Sequence, residues 1–399
     1  MGRSRSEAEE QVAALLHTAR TALGLSVSFL TRMDGEVQTL EVVDTPLPFT
    51  FDGATQVQET TVCQAIIDGH LPDVIPDLTA HPEARRLPAV AGFPRLRSYV
   101  SVPVTLSDGR AYGTFCAAGL TTHKKLDTRD RALLEVLASA AAMIIEPGVL
   151  ERERNELITQ RLRPVLTDGG LDVVLQPIVD LASGTRVGAE ALSRFPRTWG
   201  LTPDVVFAQA HDVGLGPRLE VHALERSAAL LDEVPGYVAL NVSPATLLTE
   251  PCRALLARLP GDRVLLELSE HDQVEDYATL AEVLAPLRAA GMRLAIDDVG
   301  AGFSSLRHIV LCAPDVIKID RSIVDGVAHD GVLSTLVRAL VQFAHGNGTL
   351  VVAEGVETED DARHLAELGV DLGQGWFFGR PGPPSALDHL PTQRTARTP

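Results

Sequence analysis

Between residues 171 and 378 the chain alternates short apolar runs of strand length with stretches of helical periodicity. The runs are Val173–Ile178, Val187–Leu192, Tyr237–Val242, Val264–Leu268, Arg293–Asp298, Val316–Asp320, Leu350–Glu354 and Leu372–Phe378. Helical patterns between them include Pro217–Leu231, Asp276–Ala290, Leu333–His345 and Glu359–Leu368. Eight strands with helices between predict an α/β fold of the TIM-like (β/α)8 barrel type rather than an open sheet. Polar residues sharpen this. Glu190, Asn241, Glu267, Asp297, Asp298, Lys318, Asp320 and Glu354 fall at or near the C-terminal ends of the runs, where such a barrel gathers its chemistry. Solvation explains one polar strand end, but hardly six strands in succession.

The first part of the chain is built differently. Glu7–Ala22 carries Val12, Leu15, Leu16 and Ala19 on one helical face. The β-rich runs Leu25–Thr31, Val37–Val43, Tyr99–Leu106 and Gly113–Leu120 follow, with the hairpin signals Asp34-Gly35 and Asp108-Gly109 between pairs of them. A helical stretch, Asp127–Ile145, closes a helix–meander–helix order that describes a small α+β sensor-like domain. Pro147-Gly148 is expected to break that helix, with the charged run from Glu151 starting another as far as Arg163. The expected division is a regulatory domain at 1–146, a helical linker at 147–170 and a barrel at 171–399.

Charge and cysteine usage exclude several classes. Lys plus Arg number 35 against 53 acids, a net −18, of which −5 falls in residues 1–150 and −13 in the rest. This is not the footprint of a general DNA, RNA or anionic-membrane binder. Cys63, Cys116, Cys252 and Cys312 lie at least 53 positions apart with no CxxC pair, so they read as buried free thiols of a cytoplasmic protein, Cys63 included. The N-terminus lacks the apolar core of a signal peptide. Leu133–Ile145, interrupted by Glu135 and Ser139, is too short to span a bilayer.

At the barrel mouth, Glu190, Glu267, Asp297, Asp298 and Glu354 would converge, with Asn241 as a neutral oxygen ligand. Crowded carboxylates without compensation repel one another and protonate. Hard divalent cations resolve this, and an oxygen-only donor set points to Mg²⁺ or Mn²⁺ rather than zinc. The pair Asp297-Asp298 can flank two ions about 4 Å apart, the separation used in two-metal phosphoester hydrolysis. Lys318 adds a cation able to orient a water or steady a phosphate oxygen.

These residues also carry a family pattern. Gln176-Pro-Ile-Val, Glu190-Ala191-Leu192-Ser-Arg194, Asn241-Val-Ser, Glu267-Leu-Ser-Glu270 and Asp297-Asp298-Val-Gly-Ala-Gly-Phe-Ser-Ser-Leu306 occur in order. Lys318-Ile-Asp320, Glu354-Gly-Val-Glu357-Thr and Gly373-Gln374-Gly-Trp-Phe-Phe-Gly379-Arg-Pro complete the set. Over about 171–384 the chain resembles the EAL domains, cyclic-di-GMP phosphodiesterases of bacterial signalling. The resemblance implies metal-dependent hydrolysis of cyclic-di-GMP to linear 5′-pGpG in a homodimer. It implies Glu190, Asn241, Glu267 and Asp297 as ligands of one metal, and Asp297, Asp298 and Glu354 as ligands of a second. Lys318 and Glu354 would position or deprotonate the attacking water, with Asp320 close by. Gln176, Arg194, Glu357 and Gln374 would contact substrate, and Glu270 would support the 297–306 loop. Val299 departs from the pattern, standing where Phe is usual, and altered loop packing is the expected result.

Over about 8–146 the chain resembles GAF domains, through Thr61-Val-Cys63-Gln-Ala-Ile-Ile-Asp-Gly69, Ile75-Pro-Asp77, Arg97-Ser-Tyr-Val-Ser-Val-Pro103 and Gly113-Thr-Phe-Cys-Ala. That implies a small-molecule or protein signal of unknown identity. The rival from another class is a non-catalytic cyclic-di-GMP receptor acting through protein contacts, disfavoured because every metal ligand is retained. His211-Asp212 lacks the further histidines of a His-Asp metal site, and Gly300-Ala-Gly302 lacks the Gly-Lys-Ser/Thr of a P-loop.

Overall fold

The computed structural model describes residues 6–47, 52–92, 95–167, 169–269, 274, 276–300 and 305–388, with the side chains of 305–308 excepted. Two compact units are distinguished, Met1–Arg154 and Asn155–Pro399.

The first unit holds strands β1 (Val27–Asp34), β2 (Val37–Asp44), β3 (Thr55–Val57), β4 (Val74–Ile75), β5 (Ser98–Thr105) and β6 (Ala111–Gly119). Their order is β3-β2-β1-β6-β5-β4, so the expected single meander is two antiparallel meanders joined through the β1–β6 pair. Alternation along the central strands separates two cores. Leu30, Phe115 and Ala117 face a cluster with Val12 and Leu16 of the helix Glu7–Leu23. Phe29, Cys116 and Ala118 face the opposite cluster, which contains Cys63 and Ile66 of the helix Val62–Ile67.

The expected break at Pro147 is absent: one helix runs from Thr128 to Thr167. Leu134, Ala138, Ala141, Ala142 and Val149 keep helical spacing across Pro147 and are all buried in the first core. Their burial outweighs the hydrogen bond that proline removes. This helix contains an 18-residue window of mean hydropathy 1.8, long and apolar enough by length and composition to cross a membrane, where Leu133–Ile145 alone was expected to be too short. Only one side of that window packs into the core, for Val136 and Met143 are exposed.

The second unit is a closed barrel of β7 (Asp172–Asp180), β8 (Arg186–Arg194), β9 (Tyr237–Asn241), β10 (Val264–Ser269), β11 (Arg293–Val299), β12 (Val316–Ile319), β13 (Leu350–Ala353) and β14 (Leu372–Gln374). Strand β7 runs antiparallel to both of its neighbours, while the other pairs are parallel. A parallel pair needs a crossover of a dozen or more residues. Residues 181–185 can only make a hairpin, with Gly184 at φ 67° in its turn. The expected regular βα alternation therefore fails at its first step.

Inside the barrel, Ala239, Leu265, Ala295, Val316, Val352 and Leu372 form one apolar layer. Two residues further along the same strands stand Asn241, Glu267, Asp297, Lys318, Glu354 and Gln374. With a side-chain period of two, the same inward face that is apolar in the middle becomes polar at the C-terminal mouth.

Candidate functional site

Lys318 is fully buried at the centre of the mouth. Its Nζ lies 2.6 Å from Glu354 Oε1, 3.0 Å from Glu267 Oε2, 3.1 Å from Asp297 Oδ2 and 3.5 Å from Glu190 Oε2. Burial opposes its charge, but Asp297, Glu190, Glu267 and Glu354 together push its pKa well above the ordinary lysine value. One ammonium cannot balance four carboxylates, and their titration divides accordingly. Glu190 is held below the usual range despite burial, because Lys318, Gln374 and Asn241 stabilise its charge. Burial, with repulsion from Glu190, Asp297 and Glu354, pushes Glu267 well up against the pull of Lys318. Burial and the repulsion of Asp297 and Glu190 push Glu354 up to about 8.

The neutral neighbours act as positioning arms. Asn241 donates to Glu190 Oε1 at 2.9 Å, and Gln374 donates to Glu190 Oε2 at 2.6 Å and to Gln176 Oε1 at 3.1 Å. Gln176 in turn donates to the carbonyl of Gly379 at 3.2 Å. Of the two glutamines expected to contact substrate, Gln374 thus holds Glu190 and Gln176 orients Gln374.

The carboxylates fall into two overlapping groups, Glu190–Glu267–Asp297 and Asp297–Asp298–Glu354, each with ligand oxygens within 4.8 Å of one another. Asp297 belongs to both. Glu267 Oε1 is buried with no hydrogen-bond partner, and an orphaned carboxylate oxygen aimed into an acidic cluster is what a hard cation would satisfy. The residues present fit two divalent ions.

Other expected residues sit apart from this cluster. Asp320 Oδ1 accepts the backbone N–H of Ser322 at 2.9 Å, capping the turn Arg321–Val324. Glu357 pairs with Arg321 at 2.7 Å, and the guanidinium groups of Arg321 and Arg380 lie 6.0 and 4.6 Å from the Trp376 ring centroid. Arg194, half-buried, lines a cavity of about 550 Å³ that Glu190, Asn241 and Glu267 also line. Glu270 lies outside the described residues, as do 301–304 of the loop it was expected to support. Val299 itself is buried among the residues between barrel and helices.

The sequence reading missed a clamp on the same cavity. His211 Nε2 lies 2.6 Å from Glu220 Oε1, and Glu220 accepts the backbone N–H of Ser243 at 2.8 Å and its hydroxyl at 3.0 Å. This fixes the turn that follows Asn241. The available signal was a glutamate, Glu220, on the otherwise buried face of the helix Gly216–Ala228.

The EAL domain model matches residues 159–381, more than half of the chain. The chain belongs to the EAL domain family. Residues 6–146 match the GAF domain. Among curated relatives, probable cyclic di-GMP phosphodiesterase PdeB, from Escherichia coli K12, is 32% identical over 233 residues, covering 55% of this chain and 44% of its own. Probable cyclic di-GMP phosphodiesterase PdeN of the same organism is 33% identical over 225 residues, covering 53% of this chain and 43% of its own. The chain thus spans less than half the length of these relatives. Among solved structures, PaMucR phosphodiesterase in complex with c-di-GMP is 29% identical with a TM-score of 0.51, covering 57% of this chain and 98% of that one.

Proposed function

We propose that the barrel unit hydrolyses one phosphodiester of cyclic-di-GMP to give linear 5′-pGpG, with two Mg²⁺ or Mn²⁺ ions. The observation that carries this reading is the pair of acidic groups sharing Asp297 at the mouth of an EAL barrel. The similarity to PdeB, PdeN and PaMucR supports the substrate.

Glu190, Asn241, Glu267 and Asp297 would hold one ion, and Asp297, Asp298 and Glu354 the other. Bound ions of this kind polarise the phosphoryl oxygen and lower the pKa of water. The chain's own groups do the rest. Asn241 and Gln374 fix both oxygens of Glu190, so that carboxylate needs no reordering. Lys318, held by four carboxylates, supplies a fixed positive charge where negative charge develops on the phosphate. Glu354, nearest to it, is the group able to take a proton from the attacking water. Arg194 in the cavity wall suits a phosphate through its planar fork, and Glu357 beside Arg321 suits a base edge. Asp320 acts by capping the turn after β12.

The GAF domain would regulate turnover in response to its own signal, and the active assembly would be a cytoplasmic homodimer. The decisive experiment incubates the purified full chain with cyclic-di-GMP and separates products by ion-exchange chromatography. Linear pGpG with Mg²⁺ or Mn²⁺, none with excess chelator, and inhibition by Ca²⁺ are expected. Full activity in chelator would end the two-metal reading. Turnover with and without the first 150 residues gives the sign of regulation.

A further inference from the structure

Cys63 and Cys116 are 53 positions apart in sequence, yet their sulfurs lie 3.4 Å apart in the second core of the GAF unit. Cys63 is on the helix Val62–Ile67 and Cys116 on β6. Both are free thiols. Their surroundings are polar in an otherwise apolar core. Tyr99 Oη lies 2.9 Å from Cys63 Sγ, Ser101 Oγ lies 3.2 Å from Cys116 Sγ, and Cys116 reaches Thr114 Oγ1 at 3.1 Å. The buried amide nitrogen of Gln38 has no hydrogen-bond partner, and its side chain is among the groups favouring a thiolate at Cys63. Four polar groups around two sulfurs are not what packing requires.

Cys63 also borders a cavity. Cys63 and Tyr99 line a cavity of about 300 Å³ whose other walls include the exposed residues Thr55, Gln56 and Pro88. That rim opens the cavity to solvent, and its volume admits a molecule far larger than a peroxide.

The other two cysteines serve as internal controls. Cys252 and Cys312 are buried with no thiol neighbour, and burial pushes both up, Cys252 to about 12. Cys63 moves the opposite way: burial would raise it, but the neighbouring Cys116, Thr114, Tyr99 and Gln38 side chains favour the thiolate and bring it down to about 6. Cys116 is pushed up by burial and by Cys63. A thiolate beside a thiol, at the end of a small cavity, is the arrangement of a peroxidatic cysteine with its resolving partner.

We infer that Cys63 and Cys116 form a peroxide-reactive dithiol that closes to a disulfide inside the GAF unit. In the first step the Cys63 thiolate attacks one oxygen of hydrogen peroxide or a small hydroperoxide. The S–O bond forms, the O–O bond breaks, and hydroxide (or alkoxide) leaves and takes up a proton. In the second step the Cys116 sulfur attacks the sulfenic sulfur of Cys63. The S–S bond forms, the S–O bond breaks, and the leaving hydroxide departs as water with the Cys116 proton. Two thiols are oxidised and one peroxide is reduced. Closing from 3.4 Å to a bond of about 2.05 Å needs a shift of only about 1.3 Å, within reach of side-chain rotation. The cross-link would tie the helix Val62–Ile67 to the central sheet.

The test treats the full-length protein with a stoichiometric amount of hydrogen peroxide, alkylates it under denaturing conditions, and maps the peptides without reduction. The wild type should lose two thiols, give a peptide pair joining Cys63 to Cys116, and revert with dithiothreitol. Cys252 and Cys312 should remain fully alkylated. In Cys116→Ser the reaction should stop at a dimedone-reactive sulfenic acid on Cys63, and in Cys63→Ser the remaining partner, Cys116, should not react. Should a variant fold poorly, the wild-type peptide map decides alone. Four cysteines oxidising at one common slow rate, or a map without the 63–116 link, would overturn the proposal.

Discussion

Asp298 donates its backbone N–H to the side chain of the residue before it, Asp297 Oδ1 at 2.8 Å, from a left-handed conformation with φ 59°. Neighbouring residues of a regular strand face opposite sides. Here the pairing of β11 with β12 shifts register between Ile296 and Val299, at the same place as the left-handed residue. The irregularity brings both carboxylates into one group with Glu354. Two adjacent acids serve one mouth because β11 is irregular where they stand, with Asp298 in the left-handed region.

This makes backbone strain and chemistry separable at position 298. Asparagine tolerates the left-handed region as aspartate does, whereas alanine pays about 1–2 kcal/mol for it. Asp298→Asn should therefore keep or raise the melting temperature of metal-free protein, since it removes one charge from a crowded acidic site. Asp298→Ala should unfold at lower temperature than Asp298→Asn. Both should lose more than about 100-fold in cyclic-di-GMP turnover, because a lost ligand costs more than a lost supporting residue. Thermal unfolding in chelator, beside product assays in Mn²⁺, checks this; equal stability of the two variants would remove the strain argument.

Metal binding should be linked to protons through Glu354. With its pKa pushed up to about 8, this carboxyl is mainly protonated at pH 7 in metal-free protein and must ionise to bind a cation. The sign follows: a cation releases protons below pH 8, and affinity rises with pH until about 8. Each pH unit below that weakens binding roughly tenfold per proton released. Calorimetric titration with Mn²⁺ at pH 7, in two buffers of different ionisation enthalpy, should count at least one proton released. Glu354→Gln should release fewer, and a release unchanged between pH 7 and pH 9 would contradict the linkage.

Much of the barrel and its site was legible because both follow from a period of two. Apolar residues such as Val316 and Val352, each followed two positions later by Lys318 or Glu354, mark the inner face and the mouth together. Strand direction left no trace in that pattern. The antiparallel β7 could be inferred only from the short link at 181–185. The helix across Pro147 was misread because a local breaker was given more weight than the apolar spacing from Leu134 to Val149. The pairing of Cys63 with Cys116 could not be read, since it depends on a helix packing across a sheet from another part of the chain. The capping bond of Asp320 was legible in its position before Arg321–Val324, while its expected place near the attacking water came from the family resemblance.

Lys318 should act as the site's built-in counter-ion. Replacing it by methionine keeps the length of the side chain but leaves Glu190, Glu267, Asp297 and Glu354 without their shared cation. Uncompensated buried charge costs about 3–5 kcal/mol. For a unit of this size that lowers the melting temperature by roughly 6–20 °C in chelator. Divalent cations should restore most of the loss, and should stabilise Lys318→Met by more degrees than they stabilise the wild type. Turnover should stay depressed through kcat even at saturating Mn²⁺, because the fixed charge opposite the phosphate is gone. A variant that melts like the wild type in chelator would mean that the carboxylates are already neutralised by protons.

The pH profile of thiol oxidation gives the sharpest test of how the GAF core treats Cys63. Only the thiolate attacks a peroxide, so the rate follows the ionised fraction. With the pKa at about 6, the rate of Cys63 loss should rise about tenfold per unit below pH 6 and flatten above it, where an ordinary thiol would keep rising to about 8.5. Cys116 and Tyr99 both face the sulfur, and both are pushed well up by burial and by the neighbouring thiols, so each stays protonated as a donor through this range. The depressed folded-state value also sets a stability window. Its contribution grows from about pH 6 to the unfolded-state value near 9, and is lost as pH falls through 6. Tyr99→Phe keeps the edge-to-face contact with Phe29, whose ring centroid lies 6.2 Å away, and removes only the hydroxyl donor. Its oxidation midpoint should move up, towards that of an ordinary thiol, with little change in melting temperature at pH 5. Quenched-flow oxidation monitored by loss of the alkylatable Cys63 peptide, from pH 5 to pH 9, reads both midpoints. A wild-type midpoint near 8.5, unmoved by Tyr99→Phe, would show that the polar cage around the two sulfurs does not select the thiolate.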